Sequence, residues 1–378
     1  MARHRPQAPL ENIINFSGPQ PLAADQRARA KARFYSVVNH FRAAEASDAP
    51  YSCSLLVRYM YEYSCTELSQ DTFLRTFFES MGLDIAAEHD PDFEHEENQL
   101  SGNLASFADF LLDNFFIPLK ASGQRTAQPS PAHLSAIQRA QGRYHEDLPT
   151  PDRISYLRGA CLIRDHHRCV ISRQFDLREA TIRVEKPGDS VQDDEGNLLR
   201  GPYVYLEVSH IIPHSLTRPD ADGQLSNSKK AALMVLNMFD CDVSNMIDGV
   251  NIDRPFNAMS LTHDFHIDFN NFSVFFEPVP DQEHTYRIDT FLPAGILPLP
   301  VTRTLYLTSD QSIEPPSPRL LAIHRAIAYI LRLSGAGEYI DKILQDMEEM
   351  GVREGGSTEL GRLVTLRLGG WFDRAVSA

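Results

Sequence analysis

Between Tyr203 and Phe272 the chain changes its hydrophobic period, and that change limits what the segment can become. In YVYLEVSHII, residues 203–212, Val204, Leu206, Val208, His210 and Ile212 share one side of an extended strand, while Tyr203, Tyr205, Glu207 and Ser209 share the other. An imidazole therefore closes an otherwise apolar face. In SLTHDFHIDFNNF, residues 260–272, Leu261, Phe265, Phe269 and Phe272 fall four, four and three apart, which is one stripe of a helix with Ser260 as its cap. His263, His266 and Asn270 gather on the opposite side, at spacings of three and four. A surface helix needs only the apolar stripe to fold, so this second group is either a solvated polar face or a set of metal ligands.

At 378 residues the chain is too long for one ordinary core and should hold two or three compact units. Its formal charge of -15 works against a polyanionic partner, so a surface for nucleic acid must be a local basic patch. The run Arg153, Arg158, Arg164, His166, His167, Arg168, Arg173, Arg178 and Arg183 is the candidate. The five cysteines, Cys53, Cys65, Cys161, Cys169 and Cys241, include no CxxC pair, which argues for a reducing compartment and against a disulfide scaffold. Charges and prolines in MARHRPQAPLENIINF leave no apolar leader core, and no apolar run is long enough to cross a bilayer. The expectation is an intracellular protein, cytoplasmic or nuclear, that does not enter membranes; Lys229 and Lys230 make too short a run for nuclear import.

Taken in order, residues 1–22 read as a flexible arm and residues 23–125 as a helical region whose aromatic stripes pack a core. Gly82 is a stop signal, the acidic segment EHDPDFEHEEN an exposed loop, and LASFADFLLDNFFIPL a helix ending before Pro118. A linker covers 126–150. From there PDRISYLRGACLIRDHHRC predicts a helix running into a turn at 165–168, followed by strands at CVIS, ATIRVEK and YVYLEVSHII. SNSKKAALMVLNMF is a helix capped by Ser226 or Ser228, and DCDVSNMIDGVNIDRPFNAM is irregular. Strands at FSVFFEP, TYRIDTF and TLYLTS precede a helix opening at Ser317–Pro318 and stopping near Gly335. The helical pieces EYIDKILQDMEEM and ELGRLVTLRL close residues 283–378, a region of strands and C-terminal helices expected to pack on the N-terminal bundle. The fold class is α+β.

The phrases RDHHRCVIS, LEVSHIIPHSL, FNAMSL and HDFHIDFNNFSVFFEP resemble the HNH endonuclease domain, in the version found in many fungal proteins. The similarity is carried by the ordered set His210, Asn257 and His266 and spans roughly a third of the chain, giving a nuclease-like domain over 151–282. It implies a central ββα-metal finger with extra strands, flanked by the helical bundle and the C-terminal helices, and one divalent cation, Mg²⁺, Mn²⁺ or Zn²⁺. On that template His210 is the general base, Asn257 orients it, and His266 binds the metal that stabilises the leaving 3′ oxygen of a DNA phosphodiester. Asn270 is placed where the family often has a further ligand.

The position before the base holds Ser209, a poor ligand where the family often has Asp, Glu or His; Glu207, His214, His263 and Asp268 are the alternatives. The family's structural zinc has no ligand set here beyond Cys169. Cys161, His166, His167 and Cys169 could be drawn as one, but Cys161 falls inside a helix and Cys169 suits a small buried hydrophobe. Packing of Phe265, Phe269, Val208 and Ile212 must then hold the finger together. Two functional readings follow: a metal-dependent endonuclease, or a degenerate HNH module kept as a protein-interaction or nucleic-acid-binding domain.

Overall fold

The structure, a computed structural model, describes residues 21–123, 150–185, 192–219, 223–308, 310, 312–348 and 371. The expected arm over 1–22 and linker over 126–150 lie almost wholly outside these residues, as does the expected helix ELGRLVTLRL. Contacts divide the chain into two units, one of residues 1–117, 227–244 and 329–362, the other of residues 118–226, 245–328 and 363–378. Helices and small sheets mix in an α+β chain. No helix among the described residues is long and apolar enough to cross a membrane.

The first unit is built on helices α1 (Ala24–Ala44), α2 (Cys53–Glu62), α3 (Glu67–Met81) and α4 (Phe93–Leu111). Their apolar stripes meet in an aromatic core where Phe34 lies edge-on to Phe77 at 4.9 Å and to Phe73 at 5.8 Å, arrangements that suit the ring quadrupole. Gly82 ends α3 in the left-handed conformation at φ 71°, which lets Leu83 N–H reach the Phe78 carbonyl. The acidic segment corrects the sequence reading, because it is helical from Phe93. Asp92 accepts the N–H groups of Glu94 and His95, and Glu94 and Glu96 sit in the first turn, where acids favour the helix dipole. Pro118 does not stop the chain either. A wide turn over Leu112–Phe116, in which Ile117 N–H reaches back to the Leu112 carbonyl, carries the helix on through Ile117–Gly123, and such a local widening accommodates the ring and missing N–H of Pro118. Ala336–Glu348 belongs to this unit as well, with Tyr339 stacked on Tyr51 at 5.2 Å.

In the second unit helix α5 (Thr150–Arg164) ends in a turn at Asp165–His167, as expected. CVIS is a turn and not a strand, and ATIRVEK falls in helix α6 (Leu177–Glu185) apart from its last residue, which lies outside the described ones. The reason is local: Asp176 accepts the Glu179 N–H at 2.9 Å as a cap, and Glu179 pairs with Arg183 one turn on, outweighing the β-branched residues. Strands β1 (Phe175–Asp176) and β2 (Tyr203–Val204) form a short parallel pair. Strand β3 (Leu206–His210) runs antiparallel to β4 (Ala258–Thr262), with Val208 opposite Ser260 and His210 opposite Ala258. Helix α7 (His263–Asn270) follows β4 without a loop, and Thr262, not Ser260, caps it by accepting the Phe265 N–H. Ser260 and Leu261 are strand residues because β4 pairs with β3 and the Ser260 N–H donates to Asp165. Phe265, Phe269, Val208 and Ile212 are all buried.

A separate antiparallel sheet follows, of β5 (Val274–Pro278), β6 (Thr285–Thr290) and β7 (Val301–Thr304). Its last strand precedes the predicted TLYLTS, meeting it only at Thr304. Helix α8 (Pro318–Ser334) then brings His324 flat against Phe269 at 3.8 Å.

The arginine run is scaffolding more than surface, a second correction to the sequence reading. Arg164 is fully buried, pairs with Asp165, and donates to the carbonyls of Pro255, Glu314 and Ala258. Arg168 pairs with Asp193, Arg183 with Glu179 and Asp194, and Arg173 covers the Tyr306 ring. These guanidiniums are thus engaged by acids, carbonyls and a ring within the fold.

Candidate active site

The two faces of β3 carry different chemistry. Val208 joins Leu157, Cys161 and Ala258 in a buried cluster against α5, while Glu207 and Ser209 turn toward α7. Glu207 accepts from His266 Nδ1 at 2.5 Å and from His263 Nδ1 at 3.1 Å. The hydrogen bond from His266 holds the Glu207 carboxyl below its ordinary range, against burial that would raise it, so the acid is ionised and can only accept. The His266 proton therefore sits on Nδ1. Its Nε2 is buried and makes no hydrogen bond among the described residues. One turn further along α7, Asn270 Oδ1 accepts the Ser209 hydroxyl at 3.0 Å and its amide donates to the Gly123 carbonyl at 3.2 Å.

At the end of β3, His210 meets an acid that comes from the irregular segment before β4. Asp253, fully buried, receives His210 Nε2 at 3.2 Å and His214 Nδ1 at 2.8 Å on one oxygen, and Arg153 at 3.2 Å on the other. Burial alone would raise its carboxyl, but the hydrogen bonds from the two imidazoles hold it well below the usual carboxylate range. An ionised Asp253 fixes the His210 proton on Nε2 and leaves the Nδ1 lone pair for a proton from elsewhere. Asn257 locks the frame: its Oδ1 accepts the Ile212 N–H, and its amide donates to the carbonyls of Ile212 and Ile252, each at 2.9 Å. It thereby ties the residue two after His210 to the residue before Asp253.

His210 and Asn270 line one cavity together with His214, Pro213, Ser215, Ser122, Gly123 and Trp371, all within the second unit. About 20 Å³ is open to the centre of a water-sized particle, enough for one water or one ion.

Residues 169–277 match a family model described as HNH endonuclease. The chain carries an HNH endonuclease domain. No curated protein matches the chain, and no solved structure does. The matched stretch of the HNH domain holds His210, His214, Asp253, Asn257, His266 and Asn270, while Ser122, Gly123 and Trp371 come from outside it.

Within the HNH domain the residues expected from sequence fall into three groups. Glu207, His263 and His266 form one; Ser209 and Asn270 touch each other; His210 and His214 share Asp253. Asn257 contacts backbone, not the His210 ring, so it acts on the position of His210 only through the chain. Asp268 stands apart from these contacts, its carboxyl raised by burial and by Asp264. Sequence reasoning missed Asp253, for an acid in a turn-rich loop has no period to mark it; the weak signal was its place four residues before Asn257. The drawn zinc set also fails, since among the described residues Cys161, His166, His167 and Cys169 do not bring their ligand atoms together as a metal-holding group.

Among the described residues, two places could hold a cation. Ligand atoms of His210, His214 and Asp253 all lie within 4.8 Å of one another. There, however, every carboxylate oxygen already has a cationic or N–H partner, and Arg153 opposes a second positive charge. His266 fits better. A ligating imidazole generally donates its other nitrogen to a carboxylate, as His266 does to Glu207, and its free Nε2 is the orphaned atom a cation would satisfy.

Proposed function

We propose that the HNH domain is a metal-dependent endonuclease that hydrolyses phosphodiester bonds of DNA, with His210 as general base. The observation that carries this reading is that each of the two key imidazoles is held by one nitrogen on an ionised acid, His210 on Asp253 and His266 on Glu207. That leaves one nitrogen of each ring for chemistry. His210 Nδ1 takes a proton from the attacking water, and Asp253 stabilises the imidazolium that results. Asn257 keeps the two in register.

The arrangement of β3, β4 and α7 is read as a ββα-metal finger. His266 Nε2, Asn270 and Ser209 are the side chains that would hold a divalent cation there. When bound, the cation supplies positive charge to the leaving 3′ oxygen. These donors are uncharged, a set that favours Mn²⁺ or Zn²⁺ over Mg²⁺. With a net charge of -15 the protein needs local contacts for DNA, and salt should weaken binding steeply.

A second reading, a degenerate HNH module that binds protein or nucleic acid without cutting, draws support from the same donor set, because the Ser209 hydroxyl is spent on Asn270 and no carboxylate completes the group. A plasmid-nicking assay under Mg²⁺, Mn²⁺ and Zn²⁺ decides between them. The endonuclease reading expects cleavage lost by about 100-fold or more in His210→Ala; equal rates for both proteins under every metal would leave only the binding module.

A further inference from the structure

We propose that Trp371, together with Ser122 and Gly123, is a built-in cap over the HNH site, which has to move before a phosphodiester can reach His210. The proposal rests on the endonuclease reading for its biological sense but not for its test. A general base for a polymer must touch the backbone it helps to cut. Here the His210 side chain is 9% exposed, that of His214 12%, and Asp253 none at all. The cavity that His210 and His214 line admits one water and is far too small for a phosphodiester.

What closes it is foreign to the domain. The His210, His214, Ser215 and Asn270 side chains lie within residues 169–277, whereas three of the cavity's walls, Ser122, Gly123 and Trp371, lie outside it. Trp371 is 1% exposed and is the largest fully buried side chain described. The Gly123 carbonyl occupies the Asn270 amide, and the Ser122 and Ser215 hydroxyls meet at 2.8 Å. The fit is close: a Cβ on Gly123 would stand 2.8 Å from the Asn270 carbonyl oxygen, so only glycine permits this approach. Openings smaller than global unfolding cost less than unfolding the strands and helix beneath, so this wall can part from them while they stay folded.

The test is carbethoxylation of histidines in the full chain by diethyl pyrocarbonate, mapped by mass spectrometry, for the wild type, Trp371→Ala, Trp371→Phe and Gly123→Ala. Trp371→Ala and Gly123→Ala should each raise the reaction rate at His210 and His214 by about tenfold or more, with Trp371→Phe close to wild type. His324, fully buried elsewhere in the unit, reports loosening of the whole fold and should stay protected. Unchanged rates at His210 in both opening variants, or rates at His324 rising in step with those at His210, would overturn the cap. Nicking by the same variants separates the two ideas. If His210 opens and no metal supports cleavage, the cap stands and the endonuclease reading falls.

Discussion

Glu207 and His266 sit on neighbouring elements, strand β3 and helix α7, and meet at 2.5 Å, so that one acid sets both the tautomer and the direction of one imidazole. The pairing exists because Glu207 points to the α7 side of its strand while the first turns of α7 bring His263 and His266 back over it.

Metal affinity should depend on that acid even though it need not touch the ion. Glu207→Gln is expected to weaken binding of Mn²⁺ or Zn²⁺ by about 10- to 100-fold, as loss of a carboxylate behind a ligating imidazole does. Titration calorimetry on the full chain checks this, with His266→Ala as the variant that removes the binding altogether. Affinity equal to wild type in Glu207→Gln would mean that His266 is not the anchor.

Asn257 should matter first to stability. Its side chain is fully buried and makes three hydrogen bonds to backbone, so Asn257→Ala strands an N–H and two carbonyls away from water. The expected loss is roughly 3 kcal/mol, at about 1–3 kcal/mol for each group left unsatisfied and with partial relaxation. Urea denaturation measures it, and a loss below about 0.5 kcal/mol would contradict the locking role.

His324 gives the fold an acid-sensitive point away from His210. Its Nε2 donates to the Phe269 carbonyl at 2.9 Å, its ring is stacked on Phe269 and Phe272, and burial pushes its pKa down to about 3, against the carbonyl that would raise it. The unfolded chain protonates this ring below about pH 6.5, whereas the folded chain resists until near pH 3. Between those values the unfolded state binds the extra proton, so stability falls as pH falls, by about 1.4 kcal/mol per pH unit, and above pH 6.5 the group contributes no slope. His324→Leu should flatten that part of the stability curve between pH 6 and about 4.5, read from denaturation midpoints. An unchanged slope would place the acid sensitivity elsewhere.

Much of this protein was legible from spacing. Period-two alternation placed His210 at the end of a strand, and the interval of four put His266 and Asn270 on one helical face, because local geometry fixes which side chains share a side. Gly82 and the Ser317–Pro318 start announced helix boundaries through their own backbone preferences. Where local preference competed with a cap or a partner strand, the pattern misled: Asp176 turned ATIRVEK into a helix, and pairing with β3 made Ser260 and Leu261 strand residues.

By itself, then, the sequence determined the mixed helix-and-strand character, the HNH signature and the faces on which its histidines lie, since each depends on neighbours a few residues apart. Only the tertiary structure decided which acid serves which imidazole. Asp253 reaches His210 across 43 residues, Glu207 reaches His266 across 59, and Gly123 meets Asn270 across 147. Contacts over such separations are set by how elements pack, and no periodicity along the chain encodes them.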